Sequence, residues 1–385
     1  MKMIKLSEPY FFGNELHFLK KTLKDKWISA NGKIVKDFEN KLKKYTTGNY
    51  NLGTINCTSA LQLAVRLLNP KKNEEIIVPS ITFAATVNSI IYNNCKPIFF
   101  DCDEFLLLDK KKFYSFFNKN TYFKKGFSYN KKTKKKILAI ILVNTFGNLF
   151  EIDNDFVTFC KKKNIKIIED AAESLGSISS DTKRKNKVEF SCYSFNGNKL
   201  ITAGGGGILS LKDKKKYDQA KYLASQAKND SINFIHDGVG YNFLISNLHA
   251  SVGLAQLTNM KKVLKKKKEI NSIYKKQINK IEGLKILNSP KKCSPNYWLN
   301  ILVIDKQKYS LSKKQIIKKF SDNGIETRSL WYPNHLQKPF TKFQNYKISN
   351  SKTMFETCLC LPSSYGLKKN EQIKIINFLE NKFKT

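Results

Sequence analysis

The sequence predicts an α/β protein: a largely parallel sheet covered by helices on both faces. Three observations carry this reading. Short apolar runs (NLGTIN, EEIIVPS, KPIFFDCD, KILAIILV, IKIIEDA) recur through the first half of the 385-residue chain. Segments with helical apolar spacing lie between them, as in SALQLAVRLL, where Leu61, Ala64, Val65 and Leu68 share one face. Several of the runs are continuous rather than alternating, as strands buried on both sides require.

In chain order, NLGTIN is a strand and SALQLAVRLL a helix. EEIIVPS is a buried strand ending at Pro79, TFAATVNSIIYN a helix and KPIFFDCD a strand. Residues 104–136 are polar and lysine-rich, which predicts surface helix and loop. KILAIILVNTFGN is a strand with a glycine turn, FVTFCKKKN a helix, and IKIIEDAAES a strand followed by a turn. SCYSF and ILSL are two more strands. GYNFLISNLHASVGLAQL leads from a loop into a long helix, and helix continues through the lysine-rich residues 261–280. Beyond about residue 285 come a strand (YWLNILVI), a helix (KKQIIKKF), a loop and a final helix (EQIKIINFLENKF), the pattern of a smaller α+β unit. The expected division is an N-terminal segment with the large domain over 1–255, then a linking helix and small domain over 256–385.

Composition narrows the function classes. With 41% apolar residues the chain can build a substantial core. Its longest clean apolar run, Ile137 to Val143, is too short to span a bilayer, and the N-terminus lacks a secretory signal's apolar stretch. A soluble cytoplasmic protein is expected. The eight cysteines form no CxxC pair and the four histidines show no ligand spacing, so neither disulfides nor a metal are expected. The formal net charge of +38 raises a nucleic-acid or polyanion partner. The basic runs are spread along the chain beside abundant Asn and Ile, as AT-rich coding produces. No zinc-finger, RNP or helix-turn-helix pattern accompanies them. Sequence-specific nucleic-acid binding is not expected; weak adhesion to polyanions at low salt is.

Three stretches carry chemistry. In INCTSALQLAV a strand runs into a helix whose free N–H groups, with the Thr58 and Ser59 hydroxyls, suit a phosphate; ordinary N-capping by Thr58 or Ser59 is the alternative. In IKIIEDAAES a strand delivers Glu169 and Asp170 to its C-terminal end, where open α/β sheets bind ligands. Side chains alternate along a strand, so one of the two faces the site. In FSCYSFNGNKLITAGGGGILSL, Lys199 is the only charged residue between Glu189 and Lys212. A nucleophilic lysine works as the neutral amine, and a charge-poor setting favours that form; one more surface lysine is the alternative. Gly204 to Gly207 offer a second phosphate cradle. A phosphate site, an acid for a ring nitrogen and a Schiff-base lysine are together what pyridoxal 5′-phosphate (PLP) needs.

Nearly the whole chain resembles the DegT-type sugar aminotransferases, PLP enzymes of the fold type I, aspartate-aminotransferase-like class. The resemblance rests on SEPYFFGNE, GKIVKDFENKL, VPSITFAATVNSI, IIEDAAESLGS, GYNFLISN and GIETRSLWYPNH. SFNGNKLITAGGGG is similar to the branch acting on UDP- or GDP-linked 4-keto-6-deoxy-N-acetylhexosamines, in pathways to bacillosamine and legionaminic acid. The resemblance implies that Lys199 holds the cofactor covalently and serves as the acid/base. It implies that Asp170 pairs with the ring nitrogen, that Glu173 lies close to the cofactor and that Phe83 covers the ring face, a core phenylalanine being the alternative. Thr58, Ser59 and Ser194 match the phosphate contacts. Asn242 matches an asparagine reaching the phosphate from a neighbouring subunit, which implies a homodimer. Arg328, Trp331 and His335 lie in the segment lining the sugar-nucleotide side. Three positions depart from many relatives: Asn144 replaces His, Leu244 replaces Arg and Ser246 replaces Pro, all expected near the site. Lys199 disfavours the dehydratases that carry histidine there.

The expected activity is transfer of an amino group, from glutamate, to C4 of a nucleotide-linked 4-keto-6-deoxy sugar. A perosamine-type ketosugar, a non-catalytic regulatory protein keeping the fold, and a polyanion-binding protein are the alternatives.

Overall fold

The structure, a computed structural model, describes residues 3–180, 187–230 and 232–382. Its strands are β1 (Tyr50–Thr54), β2 (Glu75–Pro79), β3 (Lys96–Phe100), β4 (Ile137–Val143), β5 (Lys166–Asp170), β6 (Phe190–Ser194), β7 (Gly207–Leu211), β8 (Leu284–Ile286), β9 (Asn300–Ile304), β10 (Arg328–Ser329), β11 (Asn345–Tyr346) and β12 (Cys358–Leu361), besides short strands paired in two-stranded sheets. The helices are α1 (Asn14–Lys24), α2 (Lys33–Leu42), α3 (Cys57–Arg66), α4 (Ala84–Ile91), α5 (Lys110–Asn120), α6 (Asn154–Lys162), α7 (Lys214–Ala224), α8 (Asn247–Thr258), α9 (Met260–Ile278), α10 (Lys313–Asp322), α11 (Asn350–Thr357) and α12 (Lys369–Glu380).

The eight-stranded sheet has the order β1-β7-β6-β5-β4-β2-β3-β11. Its pairs are parallel except those made by β7, which runs against both β1 and β6. β4 is buried along its whole length, which explains its uninterrupted ILAIILV. Apolar layers cover both faces, one including Ile76, Val78 and Ile168, the other Ile77, Ile98 and Ile167. The predicted alternation and the two-faced burial are both observed.

A second, four-stranded antiparallel sheet, β8-β9-β12-β10, packs with α9, α10 and α12 around Ile270, Tyr274, Phe320 and Leu379. β11 then returns to the large sheet, pairing Asn345 with Phe99 and Tyr346 with Phe100. Asp101, just past β3, seals this return. Its buried carboxylate accepts from the backbone N–H groups of Ser349, Asn350 and Ser351, the Ser351 hydroxyl and the Lys112 ammonium.

Residues 104–136 hold the expected helix, together with a short hairpin (Thr121–Lys124 with Phe127–Asn130) and a buried aromatic face that were not expected. α5 buries Phe113, Phe116 and Phe117 beneath β3 and β4; Lys111 and Lys119 are exposed, while Lys110 and Lys112 bond Asp153 and Asp101. The abundance of lysine masked an amphipathic helix. All eight cysteines are free. Among the described residues no helix is long and apolar enough to cross a membrane, and no group of three or more His, Cys, Asp or Glu is placed to hold a metal ion.

Candidate active site

The C-terminal ends of β2, β5 and β6 face the N-termini of α3 and α4. β5 aligns Asp170 with Val143 of β4 and Cys192 of β6 at this edge. Alternation separates its two acids as expected. Glu169 accepts from Asn144 Nδ2 at 2.7 Å and Ser191 Oγ at 2.8 Å. Asp170 instead accepts from Thr86 Oγ1 of α4 at 2.7 Å and the Ala172 N–H at 3.1 Å. Asp170 is the acid turned toward α4, and burial raises its pKa.

Lys199 sits on the loop between β6 and β7. That loop closes on itself: the Phe195 N–H donates to Gly206 O at 3.0 Å and the Ala203 N–H to Phe195 O at 2.8 Å. Phe195, Ile201 and Ala203 anchor it in the core beneath α2 and α8. Lys199 Nζ donates to Glu173 Oε1 at 3.0 Å and lies 4.1 Å from the Trp298 ring centroid. Lys199 is therefore an inward-facing amine, its side chain only 15% exposed, rather than one more surface lysine. The other Glu173 oxygen accepts the Phe146 N–H at 2.8 Å. Phe146 has left-handed backbone angles (φ 54°, ψ 23°), and this conformation directs its N–H at Glu173. Burial raises the pKa of Glu173, while Lys199 opposes the shift.

The glycines join this loop to the start of α3. The Gly206 N–H donates to Ile55 O at 2.8 Å, and a Cβ on Gly207 would lie 2.6 Å from the carbonyl carbon of Asn56. The Gly204 N–H is taken by Thr202 Oγ1. Two of the four glycine N–H groups are thus taken within the protein, one by a backbone carbonyl and one by a threonine hydroxyl, and close approach explains the run better than a phosphate cradle does. α3 is capped by Asn56, whose Oδ1 accepts the Ser59 N–H at 2.8 Å and the Ser59 hydroxyl at 3.1 Å. This corrects the expected cap at Thr58 or Ser59. Thr58 is half-buried in the first turn, and Ser194, also half-buried, ends β6 opposite Gly207. Cys57, the first residue of α3, lies within electrostatic range of Asp170, Glu173 and Lys199. The helix start and the lysine loop therefore border one site.

Phe83 is 62% exposed at the N-cap of α4, so it is not a core residue. Trp331 stacks on Phe146 with centroids 4.8 Å apart, and Phe146 on Trp298 at 6.1 Å. This three-ring wall runs from the Lys199 amine to the segment expected to meet the sugar nucleotide. His335 Nδ1 bonds Ser80 Oγ at 2.6 Å, and burial lowers its pKa. Arg328 is exposed, 3.7 Å from Glu326. Asn242 is exposed, pairs by backbone with Ser225, and among the described residues none of its hydrogen bonds reaches Lys199, Asp170 or Ser194.

The three departures have local explanations. Asn144 is buried on the Glu169 side, also donating to Ser174 Oγ and accepting the Phe150 N–H, so it braces the fold rather than facing Asp170. Ser246 caps α8 through the His249 N–H. Leu244 packs against the core cluster over α3 and α7. Trp298, Phe146 and Thr86 were not singled out from the sequence.

The residues fit PLP. Asp170's two hydrogen bonds come from neutral donors, and among the described residues it makes no ion pair, so a protonated ring nitrogen would supply the missing positive charge. Bound PLP contributes an electron sink for the substrate carbon.

Comparison with known proteins agrees. A profile of the DegT/DnrJ/EryC1/StrS aminotransferase family matches residues 12–380. The GDP-perosamine synthase of Escherichia coli O157:H7 is 31% identical over 389 residues, covering 100% of this chain and 99% of the relative. The UDP-4-amino-4,6-dideoxy-N-acetyl-beta-L-altrosamine transaminase of Campylobacter jejuni serotype O:2 is 27% identical, covering 94% and 92%. Among solved structures, Helicobacter pylori PseC, an aminotransferase involved in pseudoaminic acid biosynthesis, superposes with a TM-score of 0.88 at 21% identity over 99% of both chains. The chain belongs to the DegT/DnrJ/EryC1/StrS family and is a PLP-dependent aminotransferase of the group acting on nucleotide sugars.

Proposed function

We propose that this aminotransferase takes an amino group from glutamate and delivers it to C4 of a UDP- or GDP-linked 4-keto-6-deoxy-N-acetylhexosamine, for surface-glycan sugars of the bacillosamine or legionaminic acid type. Lys199 is the amine that binds the cofactor and then moves the proton at the substrate carbon. Asp170 keeps the ring nitrogen protonated, Glu173 orients Lys199, and Phe83 covers the ring. Thr58, Ser59 and Ser194 hold the phosphate; Ser59 exchanges its bond to Asn56 for one to the phosphate. Asn242 completes the phosphate site of a neighbouring subunit, so the working unit is a cytoplasmic homodimer. Arg328, Trp331 and His335 form the sugar-nucleotide side. Residues 1–255 make the large PLP-binding unit and 256–385 the linking helix and small unit, with β11 reaching back.

The observation that carries this reading is the Lys199 amine, 3.0 Å from Glu173 beside the strand edge that buries Asp170. A second reading, a perosamine-type ketosugar without the N-acetyl group, is favoured by the 31% identity to a GDP-perosamine synthase along the whole chain.

Incubation with glutamate and a panel of UDP- and GDP-linked 4-keto-6-deoxy sugars, with and without the 2-acetamido group, tests both readings by product mass spectrometry. Amination of the acetamido substrates alone supports the first, and of the 2-hydroxy substrates alone the second. Failure with every substrate overturns both.

A further inference from the structure

Lys267 is the only buried lysine among the described residues, 3% exposed on the inner face of α9 with Val263, Ile270 and Tyr274. Among the described residues its ammonium meets no carboxylate. It donates to the backbone carbonyl of Trp298 at 3.1 Å and to that of Ser363. Burial alone lowers its pKa to about 7, with no charged neighbour contributing. A buried amine without a counter-charge is costly, and a methionine fills similar space without that cost.

Trp298 is held on every side. Its N–H donates to Asn296 Oδ1 at 2.9 Å, and its indole Nε1–H donates to Asn198 O at 2.7 Å. Lys267 takes the carbonyl of the same residue, and Ser363 in turn accepts the Asn300 N–H at 3.0 Å. The indole so fixed lies against the Lys199 ammonium. The titratable groups around that ammonium are Glu173 in contact, and Asp170 and Cys57 within electrostatic range of it. Trp298 adds a neutral aromatic face, which favours the charged form of an amine over the neutral one.

We propose that Lys267 is a positioning residue for the reaction: by tying the carbonyls of Trp298 and Ser363 to α9, it holds the Trp298 indole against Lys199 Nζ and so favours the protonated form of that nitrogen once it is bound to the cofactor. The inference rests on the assignment of Lys199 as the cofactor-binding lysine.

The test uses the purified holoenzyme and follows the visible absorbance of the lysine-bound cofactor as pH is varied. Trp298→Leu is expected to lower the titration midpoint by about 0.5 to 1 unit, the loss of one aromatic face on a cation. Lys267→Met should move it in the same direction by a smaller amount, with kcat reduced several-fold and KM nearly unchanged. The double variant should go no further than Trp298→Leu alone. A folded Lys267→Met protein with wild-type midpoint and kcat overturns the proposal. If Lys267→Met does not fold, Trp298→Leu still decides: an unchanged midpoint there also overturns it. A Lys199→Ala control separates the two claims. Lysine-bound absorbance that survives in that variant refutes the Lys199 assignment. Absorbance that disappears there, yet ignores Trp298 and Lys267, refutes only the positioning role.

Discussion

Lys199 and the buried Glu173 form a pair in which one carboxylate oxygen takes the amine at 3.0 Å and the other takes the backbone N–H of Phe146 at 2.8 Å. Glu173 thus ties the lysine loop to the aromatic wall. Glu173→Gln preserves an acceptor for the Phe146 N–H and should keep the fold and cofactor binding, with activity down by roughly tenfold or less. Glu173→Ala leaves that buried N–H unpaired and should destabilise the protein by about 1 to 3 kcal/mol. Urea melts of both variants distinguish loss of charge from loss of the acceptor.

Asp170 should be the most sensitive acid for turnover. Asp170→Asn keeps the size and removes the charge proposed to hold a ring nitrogen protonated, and kcat is expected to fall by at least about a hundredfold (some 3 kcal/mol). Thr86→Val removes one hydrogen bond to Asp170 and should cost about 1 to 2 kcal/mol of transition-state stabilisation, with Thr86→Ser restoring most of it. Steady-state kinetics with saturating PLP check both.

Glu39 predicts a pH dependence of stability. Burial raises its pKa to about 7, although Oε1 accepts the Gly53 N–H at 2.7 Å. A raised carboxyl pKa means the folded state binds more protons than the unfolded one between about pH 4.5 and pH 7. Stability is therefore lost as pH rises through that window. Glu39→Gln should match wild type near pH 4 and exceed it by about 1 to 2 kcal/mol at pH 8, in chemical denaturation of the apoprotein.

Asp101 predicts the opposite slope. Lys112, Ser351 and the N–H groups at the start of α11 hold its carboxyl well below the usual range. Its contribution is present above the ordinary carboxylate pKa and is lost as pH falls below about 4 toward the depressed value. Asp101→Ala should destabilise the protein by about 3 to 5 kcal/mol at neutral pH, since it strands a lysine and several buried N–H groups. The deficit should shrink in acid.

Gly207→Ala places a methyl group 2.6 Å from the Asn56 carbonyl carbon. β7 and the start of α3 must then separate. A lower melting temperature and weaker PLP retention on dialysis are expected, whereas Gly204→Ala, which meets nothing within 4 Å but sits at φ 76°, should show only backbone strain.

The strands of the large sheet were legible because each is an apolar run bounded by polar residues, and Lys199 because its loop is nearly free of other charge. Alternation along the strand says only that one of Glu169 and Asp170 faces the site, and it was the family resemblance that singled out Asp170. α2 carries Val35, Phe38 and Leu42 on one face, a visible signal that was passed over. α1 gave less, since it buries Glu15 and Thr22 instead of an apolar stripe. Trp298, Phe146 and Lys267 act through contacts with partners far away in sequence; the Trp298 indole bonds a carbonyl 100 residues earlier. No local pattern announces such a contact, and in a chain with 69 lysines and arginines one buried lysine looks like all the others.

The return of β11 to β3 bears on how the chain is made. Translation delivers β3 long before Asn345 and Tyr346, and until they emerge the outer edge of the sheet at Phe99 and Phe100 offers unpaired backbone groups. The nascent protein thus carries an open strand edge through most of its synthesis, a site where unpaired backbone groups invite aggregation. Truncations ending before residue 345 should aggregate, and those ending after α11 should be markedly more soluble.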